Sequence, residues 1–327
     1  MNKIGKIKIG GVKLDNNIFF APMAGITDYP VRTLAKEGGA GLVYTEMVSA
    51  KALLHADEKT KKLLYIGKKE RPAAAQIFGG DPYTMGEAAK ITAGFGADII
   101  DINLGCPVRK IAKAGAGAKL LANAPLTAKI LESVVQNAGV PVTAKIRIGL
   151  VPGQNVAPEI IKIAYESGIK MVAVHARPAS QGHCGEPDLN AFAEACIGAK
   201  IPVFANGGIT DEKSAEKFLN IENCSGIMIG RGAIGNYDIF ERLAKYFKTG
   251  KVQKEPTLSD KISWFKRHVK LSVKYYGEKR GLVLIRKTAQ YYIKEFPDAA
   301  KARAMFSRTE TLKGFDGVLE VLETAVK

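Results

Sequence analysis

The chain has 327 residues, 46% hydrophobic and 24% charged, which is the balance of an ordinary water-soluble globular protein. No apolar run approaches the roughly 20 residues that cross a bilayer, and residues 1–14 alternate lysine with isoleucine without the apolar core of a signal peptide, so no membrane partner is expected and the cytoplasm is the default location. Lysine and arginine outnumber aspartate and glutamate 48 to 32, for a net charge of +16, which points to a polyanionic partner, most often nucleic acid.

Residues 3–14 read as a short hairpin turning at Gly10-Gly11 that could plug the bottom of a barrel. Residues 17–23 are the first core strand, ending in Ala21-Pro22-Met23-Ala24-Gly25. Thr27-Asp28 then caps a helix, with Pro30 in its first turn, that runs to Gly38-Gly39. Further strands are expected at 41–44, 73–77, 98–104, 141–148, 170–175, 201–205 and 226–229. Helical patterns fall near 82–93, up to 138, and at 157–167, 189–195, 211–219 and 237–247. Eight strands, most followed by helices, predict an α/β fold, and at this length a TIM (β/α)8 barrel rather than an open sheet. Residues 1–247 form this barrel with its N-terminal hairpin. A lysine- and proline-containing linker spans 248–259, and 260–327 form a small C-terminal helical domain of about four helices.

The polar and glycine-rich signals fall at the carboxyl ends of the strands, the active face of such a barrel. The run Asp98-Ile99-Ile100-Asp101-Ile102-Asn103-Leu104 is a strand buried on both faces that breaks at Gly105-Cys106-Pro107. The thiol of Cys106 is therefore delivered onto a strand-end loop, with Arg109 and Lys110 following. It can serve as a nucleophile, an acid or an inert thiol; a thiol near its usual pKa of about 8.5 is mostly protonated and suits proton donation. Cys106, Cys184, Cys196 and Cys224 form no CxxC pair, and Cys196 and Cys224 read as buried structural thiols. Lys145 is the only charge within 142–146. It fits a Schiff-base lysine or a cation against the electron-rich edge of a reduced flavin, unless it simply faces outward. His175 and Arg177 alternate and share one side of a strand end. Gly207-Gly208 and Gly230-Arg231-Gly232 follow the seventh and eighth strands, where glycine backbone and an arginine hold phosphate in many barrels; tight turns need glycine there as well. His183-Cys184 is too weak a pattern for a metal site, and no metal is expected. Between Lys261 and Lys287 stand nine basic residues and one acid, interleaved with Trp264, Phe265, Tyr275 and Tyr276, which points to a phosphate-backbone partner while the aromatics serve the core.

Taken in order, residues 21–28, 76–79, 98–107, 141–147, 175–177, 205–209 and 228–231 resemble the tRNA-dihydrouridine synthase family, the bacterial B type most nearly. The resemblance implies a barrel holding FMN, reduced by NADPH or NADH, with the helical domain gripping tRNA. It implies that Pro22, Met23, Ala24 and Gln76 line the flavin ring, that Lys145 and His175 lie beside it, and that Asn206, Gly207, Gly208, Gly230 and Arg231 hold its phosphate side. Asn103 would orient the target uracil and Cys106 would protonate C5 after hydride reaches C6. Arg177, Arg109, Lys110, Arg286 and Lys287 would face the tRNA, and one tRNA per chain suggests a monomer. Relatives often carry an aromatic where His183 stands. The rival readings are a small-pyrimidine flavin oxidoreductase resembling dihydroorotate dehydrogenase, a Schiff-base aldolase using Lys145, and a non-catalytic RNA-binding protein.

Overall fold

The computed structural model describes residues 3–55 and 58–325. Two antiparallel strands open it, β1 (Ile7–Ile9) and β2 (Val12–Leu14), turning through Gly10 at φ +57°. The parallel strands are β3 (Ile18–Phe20), β4 (Val43–Tyr44), β5 (Val48–Ser49), β6 (Ala73–Phe78), β7 (Ile99–Leu104), β8 (Val142–Arg147), β9 (Val172–His175), β10 (Val203–Asn206) and β11 (Cys224–Ile229). Their lateral order is β3-β11-β10-β9-β8-β7-β6-β4, with β5 alongside β6 beyond the end of β4. Gly41 N–H donates to Ile18 O at 2.8 Å and Phe20 N–H to Leu42 O at 2.9 Å, which closes the circle between the first and second barrel strands. This is a TIM barrel, and its eight strands are those expected from the sequence.

Helix α1 (Tyr29–Glu37) follows β3, capped by the Asp28 carboxylate on Val31 N–H with Pro30 in the first turn. Helices α2 (Ala50–Leu54) and α3 (Glu58–Leu63) follow β5, α4 (Pro82–Gly94) follows β6, and α5 (Arg109–Lys113) and α6 (Ala124–Ala138) follow β7. Then α7 (Ala157–Glu166), α8 (Leu189–Cys196), α9 (Glu212–Leu219) and α10 (Ile239–Thr249) follow β8 to β11 in turn. β5, α2, α3 and α5 were not expected. Each is five or six residues or fewer, too short to display a period.

Strand alternation gives the barrel two cores. Ile100, Ile102 and Leu104 of β7 face the helices, while Ile99 joins Phe19, Tyr44, Ala74, Met171, Phe204 and Met228 inside the barrel. Ile9 and Leu14 of the hairpin pack into that inner cluster, so the hairpin is the barrel floor, as expected. No helix among the described residues is long and apolar enough to cross a membrane.

Four helices complete the chain: α11 (Leu258–Tyr276), α12 (Glu278–Ile293), α13 (Ala299–Arg308) and α14 (Leu312–Thr324). The segment expected to link them to the barrel overlaps helix at both ends. Gly250, at φ +70°, ends α10, and Thr257 with Asp260 forms a capping box that starts α11. Phe265 lies at the centre of the bundle, with the rings of Tyr292, Phe306 and Phe315 at 4.9, 5.1 and 5.0 Å. Trp264 Nε1 donates to Asp238 Oδ2 at 2.8 Å, which fastens the bundle to the last barrel helix. The nine-to-one surplus of positive charge is smaller in space than in sequence. Lys261, Lys266, Arg267 and Lys279 pair with Glu295, Glu323, Glu37 and Glu310, acids that lie outside the stretch counted.

One buried ion pair ties the first strand-end loop to the body. Arg32 Nε donates to Glu70 Oε2 at 2.6 Å and Nη2 to Oε1 at 3.0 Å, with Thr27 O and Tyr65 O taking further donors at 2.7 and 2.6 Å. Glu70→Ala strips the carboxylate and leaves the guanidinium buried, so denaturant unfolding should show a loss of about 3–5 kcal/mol. A loss below about 1 kcal/mol, the range of exposed pairs, would refute this account.

Candidate active site

The barrel interior turns polar above its apolar floor, and strand register shows how. Gln76 lies opposite Asp101, Asp101 opposite Thr143, Asn103 opposite Lys145, Arg147 opposite His175, and His175 opposite Asn206. All of these alternate inward, so five neighbouring strands line one cavity with hydrogen-bonding groups.

The lowest rung is a chain of hydrogen bonds. Thr143 Oγ1 donates to Asp101 Oδ1 at 2.6 Å, and Gln76 Nε2 to Asp101 Oδ2 at 2.7 Å. Asn103 Nδ2 donates to Gln76 Oε1 at 2.9 Å, and Asn103 Oδ1 accepts the backbone N–H of Gly105 at 3.1 Å and of Cys106 at 2.9 Å. Burial pushes the Asp101 carboxyl up to about 6, against the Thr143 and Gln76 hydrogen bonds and the Lys145 charge. It is therefore ionised above neutrality.

Cys106 is partly exposed on its loop. Besides Asn103, Arg147 holds this loop through Nε to Gly105 O at 2.9 Å, and Ala118 N–H donates to Cys106 O at 3.0 Å. Gly117, at φ +64°, makes that last approach possible, because a Cβ there would lie 2.7 Å from Cys106 O. The alanine–glycine run after α5 is therefore the seat of the cysteine loop.

Lys145 stands on the rung of Asn103. Burial first, then the Arg147 charge, brings its ammonium down to about 7, while Asp101 and Cys106 act in the opposite sense. Burial, aided by Lys145, Arg147, Arg177 and His183, holds His175 well below the usual imidazole range. Arg177 Nη1 lies 3.2 Å from His175 Nε2. A guanidinium only donates, so Nε2 is the acceptor and the imidazole proton sits on Nδ1.

Gly207 at φ +120° and Gly208 at φ +70° turn the chain after β10. A Cβ on Gly207 would meet the His175 ring at 2.8 Å, so the sequence needs glycine there for packing as well as conformation. Asn206 Nδ2 donates across to Met228 O at 2.8 Å, which joins the ends of β10 and β11, and Gly230 approaches Met23. The structure thus places Met23, Asn206, Gly207, Gly208, Gly230 and Arg231 along the ends of β3, β10 and β11.

The loop of residues 178–187 lies over this rim on arginine donors. Arg147 reaches Pro178 O and Gly182 O at 3.1 and 2.9 Å, Arg177 reaches Gly185 O at 3.1 and 2.8 Å, and Arg231 reaches His183 O at 3.0 Å. The His183 ring stacks on His175 with centroids 5.7 Å apart, and burial with the arginine charges brings it down to about 4.

Other expected residues have particular settings. Pro22 is partly exposed and Ala24 exposed on the loop after β3, where Gly25 N–H binds the Glu46 carboxylate. Gln76 is 1% exposed, its amide committed to Asp101 and Asn103. Arg109 and Lys110 are exposed on α5. Exposed Lys287 reaches from α12 to within 3.3 Å of where a Gly25 Cβ would stand, whereas Arg286 turns into the bundle and donates to Thr309 O at 3.0 Å. Sequence reasoning assigned no role to Asp101, Thr143 or Arg147. The alternation that placed Asn103 and Lys145 inward places all three inward too, and was the signal available.

A family profile described as dihydrouridine synthase matches residues 19–327. A protein of Rickettsia conorii named probable tRNA-dihydrouridine synthase is 37% identical over 298 residues, 91% of this chain and 90% of the relative. The tRNA-dihydrouridine synthase B of Pseudomonas aeruginosa is 36% identical over 304 residues, 93% of this chain and 92% of its own length. In fold the chain is similar to a 2-naphthoyl-CoA reductase (TM-score 0.57, 14% identity, 80% of this chain) and to the histamine dehydrogenase of Rhizobium sp. 4-9 (TM-score 0.56, 13% identity, 79% of this chain). It spans 58% and 50% of those two longer chains. Read along its whole barrel and helical bundle, the chain belongs to the dihydrouridine synthase family of flavin-dependent, tRNA-modifying oxidoreductases.

Proposed function

We propose that this chain reduces the C5–C6 double bond of a uridine in tRNA to 5,6-dihydrouridine, with FMN bound at the barrel mouth and NADPH or NADH as the source of electrons. The observation that carries this is Cys106, set on a strand-end loop by Asn103 and Arg147 above a rim that holds Lys145, a neutral His175 and the glycine turns after β10 and β11. The residues present fit an FMN. Gly207 leaves room for the His175 ring, a Cβ on Gly230 would come no nearer than 3.7 Å to Met23, so the backbone there is open, and Arg231 has donors beyond the one on His183 O. Asn206 and Met23 flank that end of the cavity and Pro22 and Ala24 border the ring space, while the buried Gln76 amide stays committed beneath it to Asp101 and Asn103. Bound there, the reduced flavin supplies the hydride for C6 of uracil.

The protein supplies the proton and the orientation. As C6 gains hydride, the electron pair of the double bond moves to C5, where the Cys106 Sγ–H delivers its proton; solvent then reprotonates the thiolate. Asn103, with its second Nδ2 hydrogen near Met47 Sδ at 3.6 Å, borders the uracil edge. His175 offers Nδ1–H to a carbonyl, and Arg177 keeps its other ring nitrogen occupied. The target base must leave its stack, at a few kcal/mol. Arg109 and Lys110 beside the cysteine loop, Lys287 at the opposite lip, and the helices of 260–327 bind the tRNA backbone and offset that unstacking. Arg286 supports α12 from within. Such an enzyme works as a monomer in the cytoplasm, where tRNA is. A Schiff-base aldolase would also use a lysine depressed to about 7, but it has no use for a thiol aimed at the same cavity.

The test is direct. The purified chain, given FMN, NADPH and unmodified tRNA, should form dihydrouridine, counted by mass spectrometry of digested tRNA; no product with either nicotinamide would sink the proposal. Cys106→Ala should lower the single-turnover rate by about 100-fold or more, the worth of a positioned general acid, with flavin absorbance retained.

The tautomer is separately testable. In nitrogen-15 NMR, His175 should remain neutral, with its proton on Nδ1, through the ordinary imidazole range near about 6.5. The linked sign is fixed: the unfolded chain takes up a proton there that folded His175 refuses, so this group makes stability fall as pH falls below that value. A His175 resonance that titrates near 6.5 would show the site to be wetter than described.

A further inference from the structure

Asp101 lies below the proposed site and touches neither the cysteine loop nor the rim, yet it decides how the loop is held. An ionised carboxylate only accepts hydrogen bonds. Gln76 must therefore turn its NH2 toward Asp101 Oδ2, at 2.7 Å, and its carbonyl toward Asn103. That carbonyl also only accepts, so Asn103 must turn its own NH2 toward it, at 2.9 Å. Asn103 Oδ1 is thereby left facing the loop, where it accepts the N–H groups of Gly105 and Cys106 at 3.1 and 2.9 Å. Amide groups are nearly symmetric in shape, so packing permits either orientation of Gln76 and Asn103. The reversed orientation would set the Asn103 NH2 against two backbone N–H groups, donor against donor. The charge at the bottom of the chain and the two N–H donors at its top require the same orientation of both amides.

We propose that Asp101 is a positioning residue that fixes the donor–acceptor polarity of the Gln76–Asn103 relay and, through it, the pose of the Cys106 loop. The relay runs from strand β7 across to β6 and back, so it couples one buried charge to the reacting thiol without contact between them. Thr143 completes the anchor by donating its hydroxyl to the other carboxylate oxygen at 2.6 Å. For its activity readout the inference rests on the dihydrouridine-forming reading above; for its structural readout it does not.

The test removes or keeps the acceptor at the bottom of the relay. Asp101→Leu takes away both carboxylate oxygens at similar volume and leaves the Gln76 amide free to turn, so Asn103 loses its fixed partner. Asp101→Asn keeps an oxygen for the Gln76 NH2 and offers its own NH2 to the Thr143 hydroxyl, so the orientation of Asn103 is retained. Asp101→Leu should lower turnover by about 100-fold, as a misplaced reacting group does, and Asp101→Asn should stay within about tenfold of wild type. Alkylation of Cys106 by iodoacetamide, followed on its own peptide by mass spectrometry without tRNA, should speed several-fold in Asp101→Leu and keep the wild-type rate in Asp101→Asn. If Asp101→Leu does not fold, Asp101→Ala makes the same removal with less volume. A purely structural residue predicts that alkylation of the folded variants is unchanged, or that Asp101→Asn is as impaired as Asp101→Leu, and either result overturns the proposal. Wild-type protein that makes no dihydrouridine while the alkylation pattern holds would sink the functional reading and leave the relay standing.

Discussion

A carboxylate inside a closed β-barrel must find its donors among the strands beside it, and at Asp101 that requirement organises the mouth above. The floor beneath is dry: Ile9 and Leu14 of the hairpin seal it, and Phe19 stacks on Phe204 at 4.3 Å. No described polar group of the floor serves the charge, so its oxygens go sideways to Thr143 on β8 and Gln76 on β6. The next rung up, Asn103 and Lys145, takes its geometry and electrostatics from that choice. A lysine ammonium desolvated beside other cations would be costlier still without the Asp101 charge below it.

The rim is held by a different device. Loops rich in glycine and proline expose carbonyl oxygens that no helix or strand uses, and a guanidinium can serve several at once. Arg147 binds Gly105 O on one side and Pro178 O and Gly182 O on the other, so a single side chain links the cysteine loop to the loop over His175. Arg177 and Arg231 hold the remainder of that second loop. Burial first, and then the same cations, keep His175 and His183 neutral, so the arginines that place the loops also bear on histidine protonation.

The barrel was legible in the sequence because most strands are short apolar runs that end at or near a glycine, proline or asparagine, and because Asp28, Asp81, Asp188 and Asp211 mark helix starts with their own side chains. Residues of the site were legible one strand end at a time. The relations among them were not. Nothing in the spacing shows that Gln76 and Asn103, 27 residues apart, share a hydrogen bond, or that Asn103 uses its oxygen on the loop that follows it. Arg32 and Glu70 are 38 residues apart, and neither element around Glu70 has a period to reveal its burial.

The basic surface shows the same difference between linear and spatial reading, with a consequence for the partner. A count along α11 and α12 credits all nine cations to an outside polyanion, but five of them, Lys261, Lys266, Arg267, Lys279 and Arg286, pair with acids of this chain. Exposed Lys270 and Lys274 lie on the face of α11 opposite Phe265 and Val269, and Arg280 rests over the Tyr276 ring at 5.5 Å. Lys287 reaches across to the loop after β3. Near that side, Tyr29, Tyr65 and Tyr275 gather with centroids 5.0 to 5.4 Å apart, joining the start of α1 to the end of α11. Positive charge left over from internal pairing thus flanks a rigid aromatic joint between barrel and bundle. A polyanion laid across that joint would meet charge fixed in direction as well as in sign.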